Sequence, residues 1–216
     1  MSSKLISSDC WALFVQPQAT ILANGDYPQH PIPLKILSQS NYIVCCDGAA
    51  NTLIDKGITP QLIVGDGDSL SADVKERYAN IIQQIDEQET NDLTKSVRIL
   101  AGKGIRDIAI VGATGKREDH TIGNVSLLVE YMRMGVSATM YTDYAVMIAR
   151  HGKATLRSFA GQQVSIFNIT CQTMQSEGLQ YPIFTFNNWW QGTLNESVGE
   201  EFTISADGDY IVILNY

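Results

Sequence analysis

Carboxylates that stand beside glycines at the ends of apolar runs do nothing for a hydrophobic core. This chain has Asp47 in YIVCCDGAAN (42–51), Asp66 and Asp68 in LIVGDGDSL (62–70), and Asp119 in IAIVGATGKREDHTIGN (108–124). Each run reads as a strand that turns toward a helix. In an open α/β sheet the carboxyl ends of the strands are where ligands bind. Together these residues read as a site for a divalent metal and a polyphosphate.

Asp66 and Asp68 are separated only by Gly67, so a loop can aim both at one ion. Mg²⁺ takes one or two carboxylates and fills its octahedron with water and phosphate oxygens. Asp and Gly are equally ordinary turn residues, and Ser69 or Ser71 is placed to cap the helix that follows. In DEQETNDLTKS (86–96), Asp92 and Lys95 are three apart and share a helical face, away from Leu93, Val97 and Leu100. Asp92 is a candidate for the metal shell and Lys95 for a phosphate. Spacing alone favours a plain surface ion pair worth at most ~0.5 kcal/mol.

GATGKREDH (112–120) fails as a Walker loop, because Gly112 and Gly115 are too close and Arg117, not Ser or Thr, follows Lys116. The GxGxxG of dinucleotide folds is also missing, since Leu70 stands where its last glycine belongs. What remains is a glycine-rich turn at a helix N-terminus, which favours an anion. Arg117 can fork onto a phosphate, Asp119 can hold a metal or a ribose hydroxyl, and His120 reads as a helix-start residue rather than a ligand. Asn24 and Gly25 end the first strand at the same sheet edge and are candidate nucleotide contacts.

The elements that must position these residues alternate between strand and helix up to about residue 149. Strands are expected over 20–23, 42–46, 62–64, 108–111 and 138–141. Amphipathic helices are expected from Val74, Tyr78 and Ile81, from Leu93, Val97 and Leu100, and from Ile122, Val125, Leu128, Val129 and Met132, the last closed by Gly135. This is the pattern of an α/β fold, a mostly parallel sheet with helices on both faces. Beyond residue 150 the runs 154–159, 163–169, 182–186, 200–205 and 210–214 are short and β-prone, with turn formers between them. They predict a small antiparallel β-sandwich or barrel. The expected domains are therefore 1–149 and 150–216.

Composition sets outer limits. The 216 residues can bury a real core, and a net charge of −8 argues against a nucleic-acid or anionic-membrane surface. Bound Mg²⁺ can invert the local sign, so a phosphate ligand stays compatible with that charge. Cys10, Cys45, Cys46 and Cys171 show no metal-finger spacing, and Cys45 and Cys46 read as small hydrophobes. Residues 1–9 lack the apolar segment of a signal peptide, and nothing approaches the ~18 apolar residues of a membrane span. The expectation is a soluble, cytoplasmic protein.

The ordered set ILANG, DGAAN, VGDGDS, NDLTK and GATGKREDH…GN resembles the thiamine pyrophosphokinase family, and the match continues through GLQYP (178–182) and GTLNE (192–196). The resemblance implies transfer of diphosphate from ATP to the hydroxyl of thiamine, giving thiamine diphosphate and AMP, with Mg²⁺. It implies a homodimer of an α/β catalytic domain and a β-sandwich domain, with thiamine at the subunit interface. Asp66, Asp68 and Asp92 would hold the metal, with Asp47 in the same acidic set. Asn24, Gly25, Asn51, Ser69, Thr114, Gly115, Asp119 and Asn124 would line the nucleotide, and Lys95 and Arg117 would offset phosphate charge. Tyr181, Trp190, Thr193 and Asn195 would meet thiamine. Leu194 departs from the family, which has serine there, and Thr193, Asn195 or Ser197 would have to supply the hydroxyl. Trp189 and Trp190 suit stacking on a cationic ring or the sandwich core. Two other readings fit the residues: a nucleotide-dependent transferase for another small alcohol, and a non-catalytic nucleotide or thiamine sensor.

Overall fold

The computed structural model describes residues 16–216; Cys10 and the segment read for a leader lie outside them. The chain divides into two compact units, one spanning Pro17–Arg150 and the other containing His151–Tyr216. The first runs β1 (Ala19–Leu22), α1 (Pro31–Gln39), β2 (Ile43–Cys46), α2 (Ala49–Asp55), β3 (Leu62–Gly65), α3 (Ala72–Arg77), β4 (Ile82–Gln84), α4 (Asp92–Gly102), β5 (Asp107–Val111), α5 (Glu118–Arg133), β6 (Ser137–Tyr141) and β7 (Ala145–His151).

Its strand order is β7-β6-β5-β1-β2-β3-β4, parallel throughout except for the antiparallel β6–β7 pair. Every residue of β1, β2 and β3 is buried. Alternate side chains of a strand point to opposite faces, so both faces of the sheet are covered, as uninterrupted apolar runs require. The chain builds outward from β1 through β4, then returns to place β5 on the other side of β1. The loops after β1 and β5 therefore flank the topological switch point, where α/β sheets bind ligands.

Several elements differ from the sequence reading. The helices α1 and α2 were not expected; α1 starts on Pro31, whose missing N–H costs nothing there, and the His30 imidazole accepts the Ile32 N–H at 3.3 Å. The helix expected from Val74, Tyr78 and Ile81 breaks into α3, a 3-10 turn at Ala79–Ile81 and the edge strand β4. Of its three apolar positions only Val74 is buried, and pairing with β3 outweighs helical periodicity. The face of α4 packs as expected, with Leu93, Val97 and Leu100 buried. On α5, Leu128 and Val129 are buried, whereas Ile122 is exposed. Gly135 follows that helix with a left-handed φ of 75°, the usual glycine termination.

The second unit holds β8 (Ala154–Arg157), β9 (Gln163–Asn168), β10 (Met174–Glu177), β11 (Asn195–Glu196), β12 (Glu201–Ala206) and β13 (Asp209–Asn215). They form two antiparallel sheets, β11-β9-β13 and β10-β12-β8. Val164 and Ile166 of β9 and Phe202 and Ile204 of β12 are buried between less buried neighbours, the period of two expected of a sheet with one core face. The expected strand over 182–186 is irregular, though Ile183 and Phe186 are buried; Pro182 cannot donate to a ladder. Among the described residues no helix is long and apolar enough to cross a membrane.

Candidate active site

The acidic side is built at the ends of β2 and β3 and at the start of α4. Asp47 follows β2 in a left-handed conformation, φ 37°, with its N–H bonded to the Val64 carbonyl at 2.8 Å. Its Oδ2 accepts the Ser69 N–H at 3.0 Å, while its Oδ1 is buried with no partner. At the end of β3, a Cβ on Gly65 would stand 2.7 Å from the Asp47 Cβ and 3.1 Å from Asp92 Oδ2. Only glycine leaves room for Asp47 and Asp92 to approach each other there.

Asp92 opens α4, capped by Asn91, whose side chain accepts the Thr94 N–H at 2.9 Å. Burial pushes its carboxyl above the ordinary carboxylate range, and the charges of Asp47 and Asp66 push the same way against Lys95. Lys95 is only 5% exposed and donates to Asp92 Oδ1 and to the Ile85 carbonyl, both at 3.2 Å. The plain surface ion pair favoured by spacing is therefore wrong. Ile85 follows β4, the strand that the sequence reading missed, and its carbonyl receives the ammonium.

The loop carrying Asp66 and Asp68 is braced from below. Asp66 Oδ1 accepts the Asp68 N–H at 3.1 Å, so this aspartate does turn work as well. Asn51 donates to the Ser69 carbonyl at 2.8 Å and accepts the Ser71 N–H at 3.0 Å; its side chain thus holds the loop. Ser71, not Ser69, caps α3 through the Val74 N–H. Asp68 and Ser69 are exposed.

Among the described residues no three acidic, His or Cys side chains stand ready as a metal centre. The donor set still fits Mg²⁺, which needs only one or two carboxylates when phosphate and water complete its shell. The orphaned Asp47 Oδ1 and the half-buried Asp92, each drawn out of water with one lysine to offset them, are groups that a cation would stabilise.

Across the switch point, the loops after β1 and β5 interlock. Gly25 donates to the Gly112 carbonyl at 2.7 Å and Asp26 to the Thr114 carbonyl at 2.8 Å. A Cβ on Gly25 would come within 2.3 Å of the Thr114 oxygen. Asn124 of α5 donates to the Ala113 carbonyl at 2.8 Å and accepts from Asn91 at 3.2 Å, tying this loop to the start of α4. Arg117 and Asp119 form an exposed two-point ion pair, Nε to Oδ1 at 3.1 Å and Nη2 to Oδ2 at 2.5 Å. The guanidinium holds the Asp119 carboxyl down to about 2. Sequence reasoning passed over Lys116, although a cation between Gly115 and Arg117 was a visible signal. Its Nζ reaches the Asn24 carbonyl at 3.1 Å and the Asn24 Oδ1 at 3.3 Å.

In the second unit, Tyr181, Trp189, Trp190 and Leu194 are exposed. Neither tryptophan is sandwich core; Trp189 makes a T-shaped contact with Phe167, 5.8 Å between ring centroids. Asn195 is buried, and its carboxamide is spent on the Tyr181 N–H (3.1 Å), the Tyr181 carbonyl (2.8 Å) and the Glu196 N–H (2.9 Å). It fixes Tyr181. The Thr193 hydroxyl donates to the Trp190 carbonyl at 2.8 Å. Ser197 is fully buried against Ser158 at 2.7 Å, so it is not available to replace the hydroxyl missing at Leu194. Leu194 itself takes a left-handed φ of 68°.

Models of the thiamin pyrophosphokinase catalytic domain and of the thiamin pyrophosphokinase substrate-binding domain match residues 34–140 and 146–213. Thiamine pyrophosphokinase 3 of Oryza sativa subsp. japonica is 28% identical over 203 residues, covering 78% of this chain and 76% of the relative. The crystal structure of thiamine pyrophosphokinase from Bacillus subtilis superimposes with a TM-score of 0.78 at 20% identity, over 91% of this chain and 98% of that one. Yeast thiamin pyrophosphokinase gives 0.77 at 17% identity, over 94% and 87%. These two structures share the fold.

Proposed function

The chain belongs to the thiamin pyrophosphokinase family of transferases, and we propose that it transfers the β,γ-diphosphate of ATP to the hydroxyl of thiamine. The products are thiamine diphosphate and AMP. The observation that carries this reading is the acidic set of Asp47 and Asp66 at the strand ends and Asp92 at the start of α4, beside a glycine loop at the switch point.

The thiamine oxygen attacks the β-phosphorus in line as the bond from that phosphorus to the bridging oxygen breaks. The electron pair leaves on the α-phosphate of AMP, and a carboxylate of the acidic set takes the hydroxyl proton. Little covalent work falls to the protein, so positioning and electrostatics carry the rate. Asp47, Asp66, Asp68 and Asp92 would hold Mg²⁺, which when bound supplies positive charge to the phosphate oxygens. Lys95 keeps Asp92 in place, and Asn51 and Ser71 hold the loop of Asp66 and Asp68. Gly25, Thr114 and Gly115 shape the backbone that the nucleotide would meet. Asn124 acts on it through Ala113.

Residues 1–149 are proposed as the catalytic domain and 150–216 as the thiamine-binding domain. In the latter, Tyr181, Trp190 and Thr193 would face thiamine, with Asn195 acting through Tyr181. The exposure of Tyr181 and Trp190 supports this, since large aromatic side chains in solvent are free to stack on a ligand. The active species is proposed to be a cytoplasmic homodimer.

The test is turnover with ATP, Mg²⁺ and thiamine, resolving AMP from ADP. AMP in step with thiamine diphosphate is expected. ADP would move the attack to the γ-phosphorus, and no thiamine-dependent product would turn the search to another alcohol.

A further inference from the structure

We infer that Lys116 is a phosphate-binding residue with which this chain distinguishes a nucleoside triphosphate from a monophosphate. The inference rests on the ATP reading above. Three observations carry it. First, Lys116 has a left-handed φ of 57°, a conformation open to glycine and unfavourable for a lysine. A strained backbone held at a ligand-binding edge is a place to look for function, and a lysine kept there points to a use for its side chain.

Second, the ammonium spans the switch point. It leaves the loop after β5 and bonds the Asn24 carbonyl and carboxamide oxygens in the loop after β1, at 3.1 and 3.3 Å. These partners are neutral and the side chain is exposed, so an anion can take their place at little desolvation cost.

Third, the other cations of the site already have carboxylate partners. Lys95 is buried against Asp92, and Arg117 is paired at two points with Asp119. A polyphosphate brought beside Asp47, Asp66 and Asp92 needs positive charge from the protein. Lys116 supplies it with no ion pair to break among its observed bonds. Its effect should scale with the number of phosphates: a triphosphate reaches across the crevice to the ammonium, and the single phosphate of AMP gains far less.

The experiment is calorimetric binding of ATP and of AMP, each with excess Mg²⁺, to the wild-type chain, Lys116→Gly and Lys116→Arg. Glycine accepts the left-handed backbone, so Lys116→Gly removes the ammonium while keeping the backbone conformation of the loop. We expect its ATP dissociation constant to rise ~10-fold, about 1.4 kcal/mol, with AMP unchanged and Lys116→Arg close to wild type. Equal weakening of ATP and AMP would assign Lys116 to loop shape and overturn the inference. Unchanged ATP affinity in Lys116→Gly would overturn it as well. A wild-type chain that binds no ATP would overturn the ATP reading itself, and this inference with it.

Discussion

The two sides of the switch point handle charge in opposite ways. On the acidic side, Asp47 and Asp92 are drawn out of water, and a lysine that is 5% exposed offsets them. On the glycine-loop side, Arg117 and Asp119 neutralise each other in open solvent, both side chains more than half exposed. Burial makes the first arrangement expensive unless a cation completes it; the second costs little and contributes little. Charges held at a desolvation cost thus report function more reliably than charges paired at the surface.

Three experiments put this difference at risk. The largest effect is expected from Asp68→Asn. Asp68 is exposed, and among the described residues its side chain braces nothing. Turnover should fall at least ~100-fold, the scale of removing one electrostatic stabiliser of a transition state, with the melting temperature unchanged. Near-normal turnover would remove Asp68 from the metal and phosphate set and leave Asp47, Asp66 and Asp92.

Asp92→Ala should cost about 2 kcal/mol of stability, below the ~3–5 of a fully buried pair because Asp92 keeps some contact with water. The cost arises from Lys95, left buried with one carbonyl partner. Adding Lys95→Met should recover most of it in urea unfolding while turnover stays low. Additive losses in the double variant would show that the pair is not coupled.

The smallest effect lies on the exposed side. Asp119 should titrate at about 2 by carbon-detected NMR, and Arg117→Leu should return it toward the ordinary value of about 3.9. The sign follows from the depressed folded value. Any stability from this pair is present above about pH 4 and is lost as pH falls through about 2. A midpoint unmoved by Arg117→Leu would refute the ion pair as its cause.

Much of this was legible in the chain. Asp47, Asp66 and Asp68 stood out because acids after apolar runs have no role in a core, and β1, β2, β3, β5 and β6 were readable as strand-like runs. Helix α1 was missed because its proline start reads equally as a loop, and β4 because IQQ has no alternation to recognise. Spacing placed Asp92 and Lys95 on one helical face but could not say what lay above it. In the tail, Ser197 resembled a spare hydroxyl until Ser158, thirty-nine positions away, proved to be its partner.

From the chain of residue types came the local quantities: which segments extend, which coil, which termini attract anions, and which residues converge on phosphate chemistry. These follow from periodicity and from the chemistry of single side chains. Burial and pairing came only with the fold. The Ile85 carbonyl receives Lys95, Asn51 props the Asp66 loop, and Lys116 reaches Asn24 across ninety-two residues. Desolvation and hydrogen bonding depend on neighbours distant in the chain, and those neighbours are set by the order of strands in the sheet.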